Sequence, residues 1–180
     1  MFVGTMGWPP NEEGVRWFAK EIWPLIRERL GSAKLYLVGR DAPSEVKGSR
    51  EQGIHVEGFK QSLAPYLHEG NVFVVPILTG SGVRIKALEA IGAGMPVVTT
   101  TVGVEGLTLE NGIHILRRDE PAEFASAVVE LLSDRVRMSK LGSAARSWVE
   151  SNYTWRSATD ALEGVYRELT LPPCGGRIRV

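Results

Sequence analysis

The stretch Val74 to Thr101, VVPILTGSGVRIKALEAIGAGMPVVTTT, constrains this chain more than any other, because an apolar run, a glycine-rich turn and an amphipathic segment follow one another without a break. Val72-Phe73-Val74-Val75-Pro76 has the β-branched and aromatic make-up of a buried strand. Gly80-Ser81-Gly82 then frees the backbone to turn sharply. A helix is expected from Val83 to Gly94, where glycine suits a left-handed cap and Pro96 forbids continuation. Pro96 to Thr100 reads as the next strand.

A helix that starts over a glycine turn offers unpaired N–H groups and the positive end of its dipole to an anion, phosphate above all. Arg84 and Lys86 fall in the expected first turn, where the dipole disfavours cations; a bound diphosphate would account for them. Glu89 comes five residues after Arg84, roughly 7 to 8 Å further along at 1.5 Å per residue, within reach of a ribose attached to that diphosphate. The plain alternative is a solvated helix end with a Lys86–Glu89 pair at i, i+3. On these residues alone the two readings stand even.

Length and charge narrow the class. One hundred and eighty residues suit one domain with a real core, and 43% hydrophobic with 23% charged residues is ordinary globular composition. Twenty-one basic and 21 acidic residues cancel, so no global field recruits nucleic acid or anionic lipid. The single Cys174 excludes an intrachain disulfide framework and fits a reducing, cytoplasmic setting. No run is long enough to span a bilayer. His55, His68 and His114 have no Cys or carboxylate at metal spacing, and no nucleophile elbow occurs, so neither a metal site nor hydrolytic chemistry is indicated.

The remaining segments alternate in type. Phe2-Val3-Gly4 reads as a core strand without lead-in, as in a piece cut from a longer protein. Asn11 is read as the N-cap of a helix whose Val15, Phe18, Ala19, Ile22 and Trp23 share one face, with Trp17 and Trp23 taken as packing and not as a ligand platform. Strands are expected at Ala33–Gly39, Ile54–Phe59 and Gly112–Leu116, and a short helix at Gln61–Glu69. Arg40 follows the second strand on what would be the ligand edge of a parallel sheet, or is an exposed loop arginine. The loop Val102–Leu107, with Glu105, is either a further ligand contact or a plain glycine turn. Helices from Glu120-Pro121, Arg135 to Glu150 and Trp155 to Leu169 close the chain, with Leu162 and Tyr166 of the last expected to face inward. The sum is an α/β, Rossmann-like, doubly wound parallel sheet over residues 1–169 with a C-terminal helical extension, and residues 170–180 as a disordered tail.

In order and spacing, Phe2-Val3-Gly4, Leu35 to Gly39, Val56-Glu57-Gly58-Phe59, Leu88-Glu89-Ala90, Gly94-Met95-Pro96-Val97-Val98, Tyr153-Thr154-Trp155 and Val165-Tyr166 resemble the C-terminal, nucleotide-sugar-binding half of a GT-B glycosyltransferase of family 4, or group 1. The resemblance implies a retaining transfer of a hexose-type sugar from a UDP-, GDP- or ADP-sugar, with no covalently bound cofactor and no metal. It makes Glu89 the second glutamate of the family's E-x7-E motif, on the donor ribose, and gives the diphosphate to the loop Gly80, Ser81, Gly82, Val83 and Arg84. Gly4, Arg40 and Gly58 complete the implied donor site, the last in the segment Val56–Phe59 beside the base. Ser81 stands where the motif has its first glutamate, and the family's two basic residues after the first strand would fall near Thr5 and Glu13, neither of them basic. Arg84 and Lys86 are the candidates to replace those charges. Acceptor contacts and catalytic groups are expected in an N-terminal domain absent from this chain, through which the protein would meet any membrane; the fragment alone would bind donor without turnover. The alternative is a non-catalytic nucleotide-binding or partner-docking module.

Overall fold

The computed structural model describes residues 1–67 and 71–170; the expected tail with Cys174, and His68 at the end of the expected 61–69 helix, lie outside the described residues. The elements run β1 (Phe2–Val3), α1 (Pro9–Trp17), a π-helical segment (Phe18–Ile22), α2 (Trp23–Arg29), β2 (Leu35–Val38), β3 (Ile54–Gly58), β4 (Phe73–Val75), α3 (Ile85–Gly92), β5 (Val97–Thr99), β6 (Leu116–Arg117), α4 (Pro121–Ser133), α5 (Arg135–Asn152) and α6 (Trp155–Thr170). Helices separate β1 from β2 and β4 from β5, and after β6 only helices follow among the described residues.

All strand pairs are parallel, with Phe2 beside Leu37, Leu37 beside Val56, Val74 beside Val98 and Val98 beside Leu116. The pairings form two three-stranded sheets, β1-β2-β3 and β4-β5-β6. Met1 joins them: its amino group donates to Val72 O at 2.6 Å and its carbonyl accepts from Val74 N at 2.9 Å, the alternation of a parallel ladder. The spatial order is therefore β3-β2-β1-β4-β5-β6, that of a doubly wound fold whose direction of winding reverses between β1 and β4.

Several elements differ from the sequence reading, each for a local reason. The first helix begins at Pro9, with Trp8 before it, because two consecutive prolines preset the first turn; Asn11 is inside the helix and buried, not its cap. Pro24 lacks an N–H, and the helix passes it through the π-helical segment, with Trp23 N donating to Phe18 O. The central helix starts at Ile85, two residues late, since Gly82 (φ 90°) and Arg84 (ψ 86°) are not helical. Its end is as expected: Gly94 takes φ 77°, and bonds from Gly94 N to Ile91 O and from Met95 N to Ala90 O close a Schellman motif. The expected strand Gly112–Leu116 is largely a turn, because Gly112 takes φ 86° and His114 Nδ1 accepts from Glu110 N; only Leu116–Arg117 joins the sheet. Among the described residues, Gln61 to Leu67 holds a turn closed by Tyr66 N and Leu67 N on Leu63 O, not a helix. Leu162 and Tyr166 face solvent, at 56% and 60% exposure, since α6 runs past the body of the domain.

The core is aliphatic with a small aromatic knot, Trp17 and Phe18 meeting Phe124 edge to face at 5.9 and 5.7 Å. Trp23 is buried and donates to Gln52 O at 2.8 Å, so both tryptophans are packing. Among the described residues the buried polar side chains are Asn11, Thr99, Thr100 and His114. Where the halves of the sheet meet, Gly14 of α1 lies so close to the chain leaving β4 that a Cβ there would fall 2.2 Å from Pro76 O. Gly14→Ala should therefore push α1 off that chain and lower the unfolding free energy by about 1 to 3 kcal/mol, measured by urea denaturation.

Candidate functional site

The reversal of winding leaves a crevice at the carboxyl ends of β1 and β4, where open α/β sheets bind their ligands. β1 runs out into Gly4-Thr5 and α1; β4 runs out through Pro76 to Gly82 and then α3. The two exits are tied together, with Thr79 Oγ1 donating to Glu13 Oε2 at 2.6 Å and Gly80 packed on Pro10. Glu13, one position where a family member would carry a cation, thus anchors the opposite loop.

Arg84 occupies the N-cap position of α3. One guanidinium nitrogen, Nη1, donates to Ser81 O at 3.0 Å, whereas Nε and Nη2 are buried without a partner. Nη2 lies against the Gly80 backbone, 3.1 Å from where a Cβ would stand. Buried donors of a charged group are almost always satisfied, and among the described residues Arg117 Nε is a further exception.

Lys86, two residues on, sends its ammonium back across the reversal point to β1. Nζ donates to Asn11 Oδ1 at 2.7 Å and lies 4.4 Å from the centre of the Phe2 ring. It stands beside Gly4, 2.7 Å from the position of a Cβ there, so a side chain at that position would displace the ammonium. Burial first, and the nearby Arg84 charge second, pull its pKa down from 10.5 to about 8. The Lys86–Glu89 pair is not formed. Glu89 is exposed and makes no side-chain hydrogen bond or ion pair among the described residues. At roughly 100° per residue it sits about 60° around α3 from Lys86, on the same flank.

Beyond Gly4 a cleft of about 400 Å³ opens over the ends of β1, β2 and β3, lined among others by Thr5, Gly39, Arg40, Phe59 and Lys60. Gly39 and Gly4 meet backbone to backbone, and a Cβ on Gly39 would fall 1.9 Å from Gly4 O. The register shift between Leu37 and Val38 pairs Val38 with Gly58, whose φ of 64° turns the chain so that Phe59 comes to the cleft. Phe59 is 64% exposed, with the Arg40 guanidinium 4.7 Å from its ring centre. Lys60 pairs with Glu57 at 3.2 Å, and this bond with one from Tyr66 holds the Glu57 carboxyl below its usual range.

The sequence-derived residues therefore fall into connected groups: Gly80 to Arg84 and Lys86 at the reversal point, Gly4 between them and the cleft, Arg40 and the end of β3 at Gly58 around the cleft, and Glu89 on the neighbouring flank of α3. Asn11 and Phe2, which hold Lys86, carried no such signal, because the contact spans 75 positions of sequence and Asn11 reads locally as a cap. Among the described residues no cluster of three or more His, Cys, Asp or Glu side chains is placed to hold a metal ion. No helix of the described residues is long and apolar enough to cross a membrane.

The GDP-mannose-dependent alpha-(1-6)-phosphatidylinositol monomannoside mannosyltransferase of Mycobacterium tuberculosis is 32% identical over 160 residues, 80% of this chain and 42% of its own. Among solved structures, TarM superposes with a TM-score of 0.75 at 14% identity, over 91% of this chain and 34% of TarM. HepE of Anabaena, in complex with UDP, gives 0.66 at 15% identity, over 94% of this chain and 48% of HepE. The chain thus spans less than half the length of each of these proteins. The family model for glycosyl transferases group 1 matches residues 1–134, well over half of the 180 residues, and the chain belongs to that family.

Proposed function

We propose that the chain is the donor-binding half of a retaining glycosyltransferase and holds a nucleoside diphosphate sugar across the β1/β4 reversal point. The observation that carries this reading is the pair of buried, unpartnered Arg84 nitrogens with the Lys86 ammonium on the neighbouring β1 edge. A diphosphate needs two cations or their equivalent, and the usual ones after β1 are replaced by Thr5 and Glu13. Arg84 and Lys86 reach the same edge from α3, with the loop Gly80, Ser81, Gly82 and Val83 around the phosphates. As the glycosidic bond opens, negative charge grows on the leaving phosphate, and fixed donors in a partly desolvated crevice stabilise it.

Glu89, exposed and unpaired, is the acceptor for the ribose hydroxyls, and the Phe59–Arg40 cleft past Gly4 and Gly58 takes the base. A GDP-mannose-dependent relative and a UDP-bound structural neighbour support a nucleotide-sugar donor without choosing its base. The acceptor site belongs to a second domain. Its docking is supported by the exposed apolar stripe Trp155, Leu162, Val165, Tyr166 and Leu169 along α6, and by the greater length of the relatives. Ser81, where the motif's first glutamate would stand, leaves that glutamate's contacts to be made by other groups.

Isothermal titration with UDP, GDP and inorganic pyrophosphate tests the assignment. Arg84→Ala and Lys86→Met should each weaken all three ligands by about tenfold or more, the worth of a hydrogen bond to a charged group. Glu89→Ala should weaken the nucleotides alone. Wild-type affinity in the Arg84 and Lys86 variants would sink the reading.

A second outcome concerns pH. The Lys86 ammonium titrates near 8 in the free protein, so affinity for UDP should hold below that pH and fall as pH rises through it. Stability should move the other way. The folded value lies below the unfolded 10.5, so this group's contribution is greatest above 10.5 and is lost as pH falls through about 8. Urea unfolding of wild type against Lys86→Met between those limits reads that slope.

A further inference from the structure

Asn11 is among the few buried polar side chains of the described residues, and both ends of its carboxamide are used. Nδ2 donates to Thr5 O at 2.8 Å, which fixes the amide against the loop leaving β1. Oδ1 is thereby turned to Lys86 Nζ, 2.7 Å away. Lysine can only donate, so this orientation of the amide is the one that bonds at both ends. The ammonium also lies over the Phe2 ring and beside Gly4, with Arg84 a nearby charge. Of the carboxylates on α1, Glu13 accepts from Thr79 and Glu12 pairs with Arg16.

We propose that Asn11 is a positioning residue for donor binding: a neutral acceptor that fixes the Lys86 ammonium beside Gly4 without cancelling its charge. This deepens the diphosphate reading and rests on it. A carboxylate in the same place would hold the lysine at least as firmly, but the ion pair would spend on the protein the charge that a diphosphate requires. An apolar residue would keep the charge and lose its location. The neutral amide supplies location alone. The same two bonds tie the β1 exit to α3, so phosphate binding and the geometry of the Gly4 edge are coupled through one side chain.

The test compares wild type, Asn11→Asp, Asn11→Ala and Lys86→Met in UDP titrations across roughly pH 6.5 to 10, spanning the lysine range. Circular dichroism and thermal unfolding establish that each variant is folded. Asn11→Asp should bind UDP about tenfold more weakly near neutral pH, and its alkaline loss of binding should move up by about one pH unit, because the carboxylate holds the ammonium protonated. Asn11→Ala should weaken binding several-fold with no upward move. A residue that merely supported the fold would not shift the alkaline midpoint. NMR titration of the Lys86 side chain in the free proteins reads the same shift without ligand. A folded Asn11→Asp protein with wild-type affinity and midpoint overturns the proposal; if it does not fold, unchanged UDP affinity in Asn11→Ala does so. Should Lys86→Met itself bind UDP normally, the donor-site reading fails; a weakened Lys86→Met beside an unaffected Asn11→Asp removes only the role of Asn11.

Discussion

Two hydrogen bonds through Met1 make one sheet out of two. Without them β1-β2-β3 and β4-β5-β6 would be separate three-stranded layers, and there would be no point at which the winding reverses. With them, the exits of β1 and β4 stand side by side, and Asn11, Glu13, Thr79, Arg84 and Lys86 all come from those two exits. The joint is buried, with Met1 among the core residues.

The same edge concentrates groups that a chain selected for stability alone would avoid. A lysine desolvated enough to titrate near 8, next to an arginine with two unsatisfied nitrogens, opposes folding by an amount on the order of a few kcal/mol. Elsewhere most local rules are kept, with Arg117 Nε a further buried nitrogen without a partner: α3 ends in a complete Schellman motif, α5 is capped by Asp134 accepting from Arg137 N, and the aromatic knot meets edge to face. This pair of a desolvated lysine and an unsatisfied arginine at one edge is what the proposed donor site rests on.

Much of the fold was legible because its signals are local. The apolar runs at Leu35–Val38 and Phe73–Val75, the Pro121 start of α4 and the Gly94 stop of α3 all act within a few residues. The misreadings share a cause, which is that competing local rules were settled at longer range or by an unrecognised turn. Asn11 is a good capping residue in isolation, but two prolines moved the start of the helix and freed it for a partner 75 positions away. Gly112 to Leu116 is apolar enough for a strand, yet the His114 ring bonds the backbone behind it and makes a turn. Leu162 and Tyr166 sit on a well-formed apolar stripe, and periodicity cannot say whether the body that covers a stripe belongs to the same domain. In the site, the residue types of the Gly80–Glu89 stretch pointed to phosphate, but which strand edge Lys86 reaches is a property of the sheet order and not of that stretch.

The backbone contacts of Gly39 on Gly4 and of Gly14 on Pro76 have a mechanical consequence. On the β1 side the crevice floor is built of main chain touching main chain, with no side chain between to rotate and absorb a displacement. Nothing stands within 4 Å of a Cβ placed on Gly82, so the opposite wall has free space around it. A change of shape at this edge is therefore easier at the Gly82 turn than at the main-chain floor.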